Sequence, residues 1–155
     1  MDYRLRGTRV DPYTEKQIIS AASIIADELK FCRRDRKRCD KAFERLSEYG
    51  ITISVIPDDE WLGLTKGHYD PSTFTISVPN HIYVNACKGE KNALEVMLHE
   101  LGHLFLLHKA VLHYTDSLPT KEEDSEWQAD FFAEVILKRM GYSTKQLSFD
   151  FYRKI

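Results

Sequence analysis

The period of the hydrophobic pattern changes several times along the chain, and each change marks an element. From Thr14, the segment "TEKQIISAASIIADELKF" places apolar residues at Ile18, Ala22, Ile25, Ala26 and Leu29, the spacing of one helix face. Thr14 and Gln17 stand in capping-box spacing, which predicts where that helix begins. The following "CRRDRKRCDKAFERLSEYG" is dominated by charge, yet Ala42, Phe43, Leu46 and Tyr49 make a second helical stripe that ends at Gly50, a residue suited to a left-handed stop. Beyond Gly50 the period drops to two. "ITISVIP" and "TFTISVP" alternate β-branched apolar with small polar residues, which predicts strands. "WLGLTKGHY" between them is a weaker strand pattern and "DPST" has turn chemistry, so this region predicts a small, mainly antiparallel sheet.

Helical spacing returns from about Lys91 to His108, where Leu94, Met97, Leu98, Leu101, Leu104 and Phe105 form one stripe. A last long helix is expected from Thr120: Thr120 and Glu123 repeat the capping-box spacing, Lys138 and Arg139 fall in the final turn, and Gly141 supplies the stop. Glu126, Ala129, Asp130, Ala133 and Leu137 share one stripe of it, and the small alanines allow close approach to a neighbouring helix. "STKQLSFDFY" predicts a short closing helix capped by Ser143. The sum is an α+β architecture, with N-terminal helices, a small sheet and two long helices, at 155 residues the size of one domain.

Charge narrows the possible partners. With 22 basic and 24 acidic residues the net charge is −2, so no global field recruits nucleic acid or an anionic membrane. The basic run Arg33 to Arg38 lies among acids and reads as a solvated face, so direct nucleic-acid binding is not expected. The start "MDYRLRGTRV" lacks an apolar core of signal-peptide length, and no apolar run is long enough to span a bilayer; a soluble, cytoplasmic protein is expected. Cys32, Cys39 and Cys87 form an odd set without a CxxC, which fits free thiols in a reducing compartment. Cys32 and Cys39, seven apart, could share a helix face.

The chemistry concentrates in "HELGHLFLLH", residues 99 to 108. At about 100° per residue, His99 and His103 fall together on the side of the helix opposite the leucine stripe. Two imidazoles four apart can direct nitrogens to a common point, and Glu100 is offset toward a water there as the candidate catalytic base. A third metal ligand must come from another element. "EDSEWQADFFAE" offers Glu126, with Asp130 one turn along to accept the ring N–H of a ligating histidine. Glu122, Glu123 and Asp124 read instead as helix-start charges. The metzincin pattern HExxHxxGxxH is not met, since Leu106 and Lys109 occupy the glycine and third-histidine positions. His108 reads as a packed or rim histidine on the leucine stripe, and His68, His81 and His113 as surface histidines.

"HELGH" together with "EWQADFFAE" resembles the ImmA/IrrE-type metallopeptidases, whose helix pair carries HExxH and then E-x-x-A-[ND]-x-F-A-x-E. "YGITISVI" and "GHYDPSTFTISVPN" precede these helices in that family's order, so the resemblance covers about residues 42 to 140. The family's Leu-Leu-Met-Pro-like ending is replaced by "VILKRMG". The resemblance implies a minimal zincin-like metallopeptidase core at 42–140; with the N-terminal helical part at 1–41 and the short C-terminal helix at 141–155 that the residue pattern predicts, one metallopeptidase domain over 1–155 is expected. The resemblance also implies a Zn2+ cofactor held by His99, His103 and Glu126, with Glu100 as base. Proteins of this kind are cytoplasmic and often carried by bacteria or their mobile elements. The implied activity is an endopeptidase that cuts a partner regulatory protein, in the known style a helix-turn-helix transcriptional repressor.

A peptide substrate must lie extended across the metal, and Thr73, Phe74, Thr75, Ile76, Ser77 and Val78 form the candidate strand edge for it; the same run would also suit a plain core strand. Tyr69, His113 and Tyr114 are the candidates for stabilising the oxyanion. The competing reading is a non-cleaving zinc module that sequesters a repressor or serves in a toxin–antitoxin pair. Glu100 speaks against it, because a structural zinc site needs no base and is normally closed by four protein ligands.

Overall fold

The computed structural model describes residues 3–62, 65–108 and 117–144. Helix α1 (Glu15–Leu29) starts at the predicted capping box, with the Thr14 hydroxyl accepting from Gln17 N and the Gln17 side chain accepting from Thr14 N. It buries Ile18, Ala22, Ala26 and Leu29. The charged stretch after it is helical only at its end. Residues 31–39 turn irregularly, then α2 (Asp40–Glu44) runs into a 3-10 turn, Arg45–Tyr49, that Gly50 stops at φ 75°. Cys32 and Cys39 therefore do not share a helix face. Ala42, Phe43 and Leu46 are buried as the stripe requires, whereas Tyr49 is exposed.

Strands β1 (Thr52–Ile56), β2 (His68–Asp70) and β3 (Thr75–Pro79) form one sheet in the order β1-β3-β2. The sheet is mixed rather than mainly antiparallel: β1 pairs with β3 in parallel over five residue pairs, and β2 pairs antiparallel over three. The short "DPST" turn lets β2 and β3 run antiparallel, with Asp70 accepting from the Ser72 backbone and hydroxyl. The connection from β1 to β3 passes through β2, and this long path permits a parallel pair. As the central strand, β3 buries Ile76 and Val78 completely.

An eight-residue helix that the hydrophobic pattern did not announce, α3 (Asn80–Cys87), follows β3 directly. Next comes α4 (Lys91–Phe105), whose N-cap Glu90 accepts from Asn92 N and Ala93 N. The predicted leucine stripe is its buried face, with Leu94, Met97, Leu98 and Leu101 at 0% exposure. The helix ends three residues earlier than expected, and Leu107 takes a left-handed φ of 54°.

The last helix also starts later than expected. The Thr120–Glu123 capping box closes a 3-10 turn, Lys121–Glu123, and α5 (Ser125–Arg139) begins after it with Asp124 as N-cap. Most of α5 is buried on every side, which marks it as the helix around which the others pack. Helix α1 covers one side of it and α4 another. Gly102 sets the closeness of the α4–α5 contact: a Cβ there would stand 3.0 Å from Ala129 Cα and 3.2 Å from Phe132 Cβ. The predicted helix capped by Ser143, and the candidates His113 and Tyr114, lie outside the described residues.

Candidate metal centre

Crossing α4 over α5 at Gly102 and Ala129 brings His99, His103 and Glu126 to one point. His99 Nε2 lies 2.8 Å and His103 Nε2 3.4 Å from the Glu126 carboxylate, and the two Nε2 atoms are 3.1 Å apart. One ligand atom from each of the three lies within 4.8 Å of the others. Two imidazole nitrogens and a carboxylate oxygen form a donor set suited to zinc. The position of Glu126 is set by Asp124, which accepts from Glu126 N at the helix start. Glu126 thus stands in the first turn of α5, not the second turn of a longer helix.

Each histidine carries a second contact that governs its inward nitrogen. His99 Nδ1 is 2.7 Å from Asp130 Oδ1, and the other Asp130 oxygen accepts from Arg6 at 2.9 Å. His103 Nδ1 lies 2.7 Å from His108 Nδ1, and His108 Nε2 meets Gln128 Oε1. His108 is packed, with 8% exposure, but it does not continue the leucine stripe. The early end of α4 and the turn at Leu107 fold it back onto His103. Its part in the site lay hidden because periodicity cannot show that a helix stops.

The electrostatics follow the packing. Burial works against a charged His99, yet its hydrogen bonds to Asp130 and Glu126 outweigh that and hold it up at about 10. The same imidazoles, His103 first, hold the Glu126 carboxyl far below the usual carboxylate range. Burial pushes Glu100 up and His108 down to about 4. A glutamate raised by desolvation is suited to taking and returning a proton.

These groups open onto a cleft of about 1060 Å³ lined by His99, Glu100, His103, Glu126 and Asp130, and also by Gly67, His68 and Tyr69. The Tyr69 ring stacks on His103 with centroids 6.4 Å apart. Gly67 passes close above Glu100, where a Cβ would stand 3.2 Å from its Cγ. The run Thr73–Val78 is not an open edge beside this cleft. Its residues Thr75–Val78 belong to β3, which is paired on both sides over Thr75–Ser77 and sends Ile76 and Val78 into the core. The strand flanking the cleft with a free side, among the described residues, is β2.

The N-terminal arm was not foreseen as part of this region. Tyr3 Oη, Arg6 N and Gly7 N donate to Asp124, and Thr8 and Val10 bond to the backbone of Ser125 and Glu123. Gly7 is needed there, since a Cβ would come within 2.7 Å of Glu126 Cγ. Asp124 is thus more than a helix-start charge. It is fully buried and ties the arm to the residue pair that carries Glu126.

Among the described residues, no helix is long and apolar enough to cross a membrane. Comparison with curated proteins and with solved structures finds no match. A family model does match, described as the IrrE N-terminal-like domain of the Peptidase_M78 family, over residues 46–146. That span holds the sheet, both helices of the metal centre and every candidate ligand, and the chain therefore belongs to this metallopeptidase family.

Proposed function

We propose that the chain is a cytoplasmic, zinc-dependent endopeptidase that hydrolyses a peptide bond in a partner regulatory protein, a helix-turn-helix transcriptional repressor. The reading rests on one observation above the others: His99, His103 and Glu126 converge within 4.8 Å on a cleft that Glu100 also lines. His99, His103 and Glu126 are the ligands, and Asp130 orients His99. A zinc ion held there supplies Lewis acidity, polarising a carbonyl and lowering the pKa of water toward about 7. Glu100 accepts the proton of the attacking water and passes it to the departing amine. Its burial favours this exchange, because desolvation raises its basicity.

The free side of β2 suits an extended peptide, whose backbone can add to a strand edge. Tyr69, stacked on His103 at the same wall, is the described candidate for meeting the developing oxyanion. The experiment incubates native and Glu100→Gln protein, each with one equivalent of zinc, with the neighbouring regulator, and reads fragments by mass spectrometry. Fragments that depend on Glu100 support the reading. Zinc retained with no Glu100-dependent fragment overturns it in favour of a module that sequesters its partner.

A further inference from the structure

We propose that His108 and Gln128 form a neutral relay that positions His103, placing its ring proton on Nδ1 and leaving Nε2 free to bind the metal. The proposal rests on the reading of His103 as a ligand and concerns residues to which that reading gives no part. The Gln128 side-chain nitrogen donates to two backbone carbonyls, Asp11 O and Glu122 O. Carbonyl oxygens only accept, so the amide cannot be flipped, and Oε1 must face His108 as an acceptor. His108 therefore carries its proton on Nε2. Buried at 8% exposure, His108 is held in its neutral form by desolvation, so its Nδ1 offers a lone pair, and the short contact to His103 Nδ1, 2.7 Å, needs one proton between the two nitrogens. Only His103 can supply it.

The two histidines are thus held by different chemistries. An anionic carboxylate, Asp130, receives the His99 proton, and Arg6 offsets its charge. A neutral imidazole receives the proton of His103, which orients the ring without adding charge to a site already holding Glu126, Asp130 and Glu100. An independent feature of the backbone supports the arrangement. Among the described residues, Leu107 is one of three non-glycine residues with positive φ, a conformation that L side chains disfavour, and that turn is what carries His108 back from the end of α4. Gln128 is fully buried, so a wrong orientation would leave an unpaired polar group where water does not reach.

The test reads the proton directly. With 15N-labelled histidine, the native chain should show a proton on His103 Nδ1 and a coupling across the hydrogen bond to His108 Nδ1, with His108 protonated on Nε2. The spectrum is recorded both without and with one equivalent of zinc, so loss of the metal reading and loss of the relay leave different records. In parallel, zinc affinity is measured by chelator competition. His108→Phe, which keeps the ring and removes both nitrogens, should bind zinc roughly 10–100-fold more weakly. His108→Asn, whose side-chain oxygen can take the place of Nδ1, should recover most of that loss. A proton found on His108 Nδ1, or a folded His108→Phe with native zinc affinity, overturns the proposal. The spectrum of the native chain decides even if His108→Phe does not fold.

Discussion

Gly102 of α4 faces Ala129 of α5 so closely that a β-carbon on the glycine would stand 3.0 Å from the alanine α-carbon. This contact sets the distance at which two histidines on one helix meet a glutamate on the other. Gly102→Val should cost about 1–3 kcal/mol by overpacking. It should also weaken zinc binding, because the helices must separate. Urea midpoints and chelator competition check the two effects. A variant with native affinity would show that the ligand geometry does not depend on this contact.

Asp130 and Arg6 form a chain to His99, but the two should differ in weight. Asp130→Ala removes the acceptor for the His99 ring proton and should lower zinc affinity roughly 10–100-fold. Arg6 is half-exposed in that pair, at 53%, and exposed ion pairs contribute at most about 1 kcal/mol. Arg6→Ala should therefore change affinity much less, by the same competition assay.

Asp124 caps α5 and receives three further donors from the N-terminal arm. Loss of the cap alone costs about 0.5–2 kcal/mol, and the buried donors left unpaired add to this. Asp124→Ala should lower the urea midpoint and expose the arm, read as new cleavage within residues 3–12 under limited proteolysis. An unchanged cleavage pattern would show that the arm is held by other contacts.

The arm is also tied through Arg9, which donates to both Glu123 carboxylate oxygens. The Arg9 hydrogen bond, foremost among the causes, holds the Glu123 carboxyl below the usual glutamate range. A depressed carboxyl contributes stability above its unfolded pKa, and that contribution is lost as the pH falls through its folded value. Lowering the pH from about 5 to about 3 should thus weaken the fold. Part of the loss should disappear in Glu123→Gln, compared by urea midpoints at each pH.

Metal removal should act on stability as well as activity. If three ligands from two helices share one ion, zinc at about 1,000 times its dissociation constant adds about 4 kcal/mol. Chelation should lower the thermal midpoint of the native chain, and readdition should restore it. Glu126→Gln should show a smaller response to both.

Much of the site could be read from the chain itself because it depends on local geometry. The pitch of a helix puts His99 and His103 together whatever surrounds them, and the spacing from Glu126 to Asp130 puts both acids on one face of α5. The apolar stripe of α4 and the capping box of α1 were legible for the same reason. The sheet was less so. Alternation identifies a strand but not its neighbours, so β3 looked like an available edge while pairing on both sides. The weak helical periodicity of residues 80–87 hid α3.

The sequence by itself determined the kind of atoms offered to a metal and the pairwise spacing of residues within each helix. Tertiary structure alone decided that Glu126 reaches the two imidazoles, that His108 folds back onto His103, and that the N-terminal arm binds Asp124. Those contacts join residues distant in the chain, or lie past a helix end. They depend on how closely Gly102 lets two helices approach and on a left-handed turn at Leu107, neither of which has a period that sequence can display.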